Sequence, residues 1–158
     1  MSNLLLDEWV WADLSGENLT SKPTSQKEAL DFLEAIVNKC DRLIVVRGSA
    51  FAHKAVAFWK RAEGNTLLRR IAKFYRANFW ENSNKILYIN EVNLTPLPGD
   101  LSARVKPDDQ YLVRACLTIE VETFVTTDRP LWELMTQRSV NCQLRDDFLG
   151  PYISRYLP

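Results

Sequence analysis

The chain has 158 residues, 46% hydrophobic and 25% charged, and its 20 basic and 20 acidic side chains cancel to a net charge of zero. Those figures fit one globular domain, residues 1–158, able to bury a core without staples, and they exclude a polycation. No apolar run approaches the roughly 18 residues of a membrane span, so no membrane partner is expected.

The first apolar run, in "NLLLDEWVW", reads as a buried strand that delivers Asp7 to its carboxyl end. "LSGENLTSKPTS" is loop chemistry, and Ser25 with Glu28 three residues later forms a capping box. Ala29, Phe32, Leu33, Ile36 and Val37 then repeat at helical spacing up to Cys40. "RLIVVRG" is a second buried strand, and "SAFAHKAVAFWKRAEG" is a helix closed by Gly64. In "TLLRRIAKFYRANFW" the residues Leu68, Ile71, Ala72, Tyr75 and Phe79 make one apolar stripe. Arg69, Lys73 and Arg76, with Arg70, supply a basic face beside it.

A third strand is predicted near Ile86 to Asn90, followed by a proline-punctuated loop. Tyr111, Leu112, Ala115, Cys116 and Ile119 form the apolar face of the next helix. "TFVTT" is a fourth strand, and "RPLWELM" opens a short helix with Pro130 in its first turn. "SVNCQL" reads as an edge strand, and "RDDFLGPYISRYLP" as a terminal helix packing Phe148, Leu149, Ile153 and Leu157. Strands alternating with helices predict a three-layer α/β/α fold around a central, mostly parallel sheet of four to five strands.

Cys40, Cys116 and Cys142 form no CxxC pair, sit among apolar neighbours and read as small core residues. The odd count and the lack of a secretory leader predict a reducing, cytoplasmic setting. Sequons at Asn18 and Asn93 carry little weight there. The five tryptophans read as core or interface residues, with Trp11 near Asp7 an alternative base-stacking ring. No P-loop, HExxH, GxSxG or GxGxxG pattern occurs.

Charge is unevenly spread. From Arg47 to Arg76 eight basic residues face one acid, Glu63, so this stretch is +7 and the remainder is −7. The basic lobe is suited to phosphate contact or to a solvated helix face. Among the acids, four are placed by the predicted topology. A helix leading into a parallel strand begins at the carboxyl edge of the sheet, so Asp108 and Asp109 open there, and Asp7 and Asp128 end strands there. Singly, each has a structural use as a helix cap or an Asx turn. Together they would repel one another unless one took up a proton or a divalent cation sat between them. Hard oxygen ligands suit Mg²⁺ or Mn²⁺, and such a site supports phosphodiester hydrolysis.

Asp7 in "LLLDEWVWADL", the helix start "KPDDQYLVRACL" and "FVTTDRPL" together resemble the PIN domain family, and "RDDFLGPYI" is similar to the family's terminal segment. The resemblance runs loosely from residue 3 to residue 152 and is most specific from Pro107 to Leu131. It implies a Mg²⁺- or Mn²⁺-dependent ribonuclease acting on RNA, similar to the toxins of toxin–antitoxin pairs, with an antitoxin-like protein partner and a homodimer as further expectations. It also implies that Asp7, Asp109, Asp108 and Asp128 are metal-site acids and that Thr126 and Thr127 orient the site. The family places a glutamate in the helix after the second strand. Here that offset falls at His53, beside Lys54, and neither is an acid. His53 then reads as a Mn²⁺ ligand or as a packed helical histidine.

Two other classes stay open. One is a catalytically degenerate PIN-like module that binds RNA or protein through Arg69, Arg70, Lys73 and Arg76. The other is a phosphoacceptor receiver domain, which needs a lone aspartate after its middle strand, whereas the third strand here ends in Asn90-Glu91.

Overall fold

The structure, a computed structural model, describes residues 1–16 and 24–156. The Asn18 sequon, most of the expected loop before Ser25 and the expected packing of Leu157 lie outside the described residues. Five strands form one sheet: β1 (Asn3–Leu6), β2 (Arg42–Arg47), β3 (Ile86–Asn90), β4 (Thr123–Thr126) and β5 (Cys142–Leu144). Their order is β3-β2-β1-β4-β5, and every pairing is parallel. A receiver-type sheet has the order 2-1-3-4-5, so this topology removes that class.

Among the described residues eight helices flank the sheet: α1 (Trp9–Ser15), α2 (Ser25–Asn38), α3 (Ala50–Arg61), α4 (Thr66–Tyr75), α5 (Gly99–Ser102), α6 (Gln110–Thr118), α7 (Arg129–Gln137) and α8 (Arg145–Tyr156). The result is a three-layer α/β/α arrangement. The inner strands β1 and β4 are buried almost throughout, as parallel strands covered on both faces must be. None of the described helices is long and apolar enough to cross a membrane.

α1, like the short α5, is an element that the residue pattern hid. It starts two residues after Asp7 and ends at Gly16, whose left-handed φ of 67° lets its N–H reach back to Asp13. Trp11 of this helix is buried among Phe51, Phe58 and Tyr75, with ring centroids 4.8–5.6 Å apart, so it is a core residue and not a base platform. Thr24, not Ser25, precedes α2, and Ser25 is buried as its first residue. Cys40 is exposed, Cys116 partly buried and Cys142 buried, so the core reading fails for Cys40, which sits in the turn after α2.

At the amino edge of the sheet Asp41 is fully buried, accepting from the Ser2 N–H at 2.7 Å and the Tyr152 hydroxyl at 2.8 Å, beside Lys39. That edge is closed by structural pairing. The carboxyl edge is open.

Candidate functional site

β1 and β4 are neighbours in the centre of the sheet, with Leu6 opposite Val125. The register carries one step further: the Asp7 N–H donates to the Val125 carbonyl at 3.3 Å, which puts Asp7 beside Thr126. The Thr126 hydroxyl donates to Asp7 Oδ2, and the Thr127 N–H reaches the same oxygen at 3.3 Å. The Trp9 N–H donates to Oδ1 at 3.0 Å. Trp9 is itself held by its indole N–H on the Val125 carbonyl, 3.0 Å away. Asp7 is therefore buried and fixed by three donors. Burial pushes its carboxyl up to about 6; the hydrogen bonds from Thr126, Trp9 and Thr127 oppose that shift, and the charge of Glu8 adds to it.

Asp128 follows β4. Its N–H donates to Thr126 Oγ1 at 3.0 Å, its Oδ1 caps α7 by accepting from Leu131 N at 2.9 Å, and its Oδ2 lies 3.5 Å from Lys106 Nζ. The capping use of Asp128 is thus realised, with one oxygen left toward the cleft. Asp109 ends the turn Pro107–Asp109 that leads into α6. Among the described residues nothing donates a hydrogen bond to its carboxylate, although the residue is half-buried. Burial raises its pKa, and the negative charges of Glu8, Asp128 and Asp108 raise it further, with Lys106 opposing. Asp108 is exposed beside it.

These residues line one cleft of about 460 Å³ at the carboxyl edge. Its carboxylates are Asp7, Glu8, Asp13, Asp108, Asp109 and Asp128; its ammonium groups are Lys54 and Lys106. Asp13 is neutralised by buried Arg145, 2.7 Å away. A hollow of about 270 Å³ shares Lys106, Asp109 and Asp128 and extends the cleft along α7. Thr127 also lines the cleft, while Thr126 lies fully buried beneath it.

Four site residues lay outside the sequence reading. Glu8 immediately follows Asp7, but only the turn into α1 aims it at Asp109. Lys106 and Lys54 are unremarkable lysines until the fold brings them to the acids. Buried Tyr111, on α6, lies in the fields of Glu8, Asp7 and Asp109, and burial together with those charges holds its phenol well above the usual range.

His53 is exposed on α3 and does not line the cleft; its neighbour Lys54 does. Successive helical residues are separated by about 100° around the axis, and of this pair it is Lys54 that lines the cleft. Arg69, Arg70, Lys73 and Arg76 are exposed on α4 and the turn after it, and none lines the acidic cleft. Arg76 pairs with Glu81 and lies 5.5 Å over the Trp59 ring.

The acids supply an all-oxygen donor set whose members repel one another, which suits a hard divalent cation. As they stand, no three Asp, Glu, His or Cys side chains among the described residues are grouped closely enough to hold one. No protein-family model matches the chain, and neither curated proteins nor solved structures give a match.

Proposed function

We propose that the protein is a divalent-metal-dependent ribonuclease of the PIN type, with Asp7, Asp109 and Asp128 as its metal-site acids and Asp108 beside them. One observation carries the reading: three acids from the end of β1, the start of α6 and the end of β4 line a single cleft at the carboxyl edge of a parallel sheet. Mg²⁺ or Mn²⁺, once bound, would polarise a phosphodiester and lower the pKa of a water. Asp7 is held rigid by its three donors, and Asp128 by its cap on α7. Asp109, with no hydrogen bond to satisfy it, is the acid with most to gain from a cation. Lys54 and Lys106 offer ammonium groups to the phosphates of an RNA strand entering the cleft. A cytoplasmic toxin with an antitoxin-like partner is the biological setting that goes with this reading.

Cleavage of single-stranded RNA in Mn²⁺ or Mg²⁺, abolished by EDTA, tests it. Activity that survives Asp109→Asn and Asp128→Asn sinks the site assignment.

One observation favours a second reading, a catalytically degenerate module that binds RNA or protein. Lys54, not an acid, occupies the cleft from α3. That reading expects salt-sensitive RNA binding without turnover in any metal, lost when Arg69 and Lys73 are changed to glutamate.

A further inference from the structure

A second cleft, of about 450 Å³, lies on another flank of α3. Its floor is apolar, formed in part by Val45, Ala55 and Val56. Its walls are Tyr88 on edge strand β3 and Trp80 after α4. Val56 is 40% and Trp80 43% exposed, so the fold leaves an aromatic ring and an apolar floor open to water.

Two guanidinium groups cover rings here. Arg47 lies 4.9 Å over the Tyr88 ring and makes no ion pair among the described residues. Arg76 lies over Trp59 and pairs with Glu81, and all three share the adjoining hollow with Trp80. Rings alternating with arginines suit a flat base joined to an anionic backbone, because the base stacks and the phosphates meet the guanidinium groups. An apolar protein segment would use the floor but gain nothing from the Arg47 cation. Charge favours the nucleotide: among the described residues Arg47 is the one charged side chain that lines the cleft, and no acid lines it.

The position also fits a strand that reaches the acids. Ile44 pairs with Leu5 on one side and Leu87 on the other, so β3 lies two strand spacings, about 10 Å, from β1. Arg47 ends β2 at the edge where Asp7 follows β1. Gly48, with φ 80°, turns the chain at this rim without a side chain that would fill the cleft.

We infer that this cleft is a base-binding subsite for single-stranded RNA, stacking one nucleobase on Trp80 and Tyr88 with Arg47 on a flanking phosphate. The inference deepens the ribonuclease reading and rests on it for the strand's course to the acidic cleft.

Fluorescence anisotropy with a labelled single-stranded RNA in EDTA reads binding without cleavage. Wild type binds with salt-sensitive affinity, and Trp80→Ala and Arg47→Ala each weaken binding roughly tenfold, while Trp80→Phe keeps most of it. Unchanged affinity in both alanine variants overturns the subsite, as does absence of RNA binding by wild type. A wild-type dimer that Trp80→Ala turns into monomer without changing RNA affinity gives the cleft to a second copy, and overturns it too. Cleavage in Mn²⁺ is scored separately. Binding that depends on Trp80 without cleavage keeps the subsite and sinks the nuclease; cleavage with binding indifferent to Trp80 and Arg47 does the reverse.

Discussion

The Thr126 hydroxyl donates to the buried carboxylate of Asp7 and accepts from the Asp128 N–H, so one side chain ties two of the three site acids together. Thr126 is fully buried, and valine would fill its volume without the oxygen. Thr126→Val leaves the buried-side Asp128 N–H without its acceptor and takes one of three donors from Asp7, which costs about 1–3 kcal/mol. Melting should fall by roughly 3–10 °C, and RNA cleavage should fall with it. Retained activity with the melting point lowered would show that the hydroxyl serves the fold alone.

Asp7 makes stability depend on pH. Its carboxyl is raised to about 6 in the folded chain from an ordinary 3.8. Below pH 3.8 folded and unfolded chains both hold the proton; between 3.8 and about 6 only the folded chain does. This contribution is fully present below 3.8 and is lost as pH rises through about 6, amounting to at most about 3 kcal/mol. Asp7→Asn removes the slope, so its urea midpoint should climb relative to wild type between pH 4 and pH 7. A constant difference over that range rejects a raised Asp7.

Asp109 and Asp128 separate activity from stability. Asparagine caps helices about as well as aspartate, so Asp128→Asn keeps its bond to Leu131 N, and its melting point should stay within about 2 °C of wild type. Asp109→Asn removes charge from a repelling cluster and should be neutral or slightly stabilising. Both should lower metal-dependent cleavage by at least about a hundredfold. Thermal melts and gel-based cleavage on the same preparations give both quantities.

Lys54→Glu exchanges a cation for an anion at the cleft. The change should strengthen Mn²⁺ binding by roughly tenfold at low salt, less at high salt. Calorimetric titration of Mn²⁺ into wild type, Lys54→Glu and Lys54→Gln should give affinities that rise from the first to the second, with the third between. An order independent of charge means that Lys54 does not face the ion.

Arg145 is the structural counterpart of the site. It is buried, 2.7 Å from Asp13 and 2.7 Å from Asp146. Its Nη2 lies 2.9 Å from Glu28, in an ion pair without hydrogen-bond alignment. Arg145→Met leaves Asp13 buried without its partner and should cost about 3–5 kcal/mol, or roughly 6–20 °C in melting temperature. Arg145→Met with Asp13→Asn should recover a good part of that loss.

The residue pattern carried the fold far. "RLIVVRG" and "TFVTT" are apolar runs too short for helices, and both are strands with buried interiors. Asp7, Asp109 and Asp128 were placed on one edge because a parallel topology leaves no other place for strand ends and helix starts, and they line one cleft there. α1 escaped because its seven residues are apolar nearly all round, which erases the helical stripe.

Sequence by itself determined the alternation of strand and helix, and with it the edge on which the strand-end acids gather, since backbone hydrogen bonding and burial of apolar runs are local demands. Only the tertiary structure decided which neighbours those acids meet. Lys54 faces them and His53 does not, because a single residue turns a helix by about 100°. Glu8 joins Asp109, and Arg145 reaches Asp13 across 132 residues, because packed helices bring together charges that no spacing along the chain encodes.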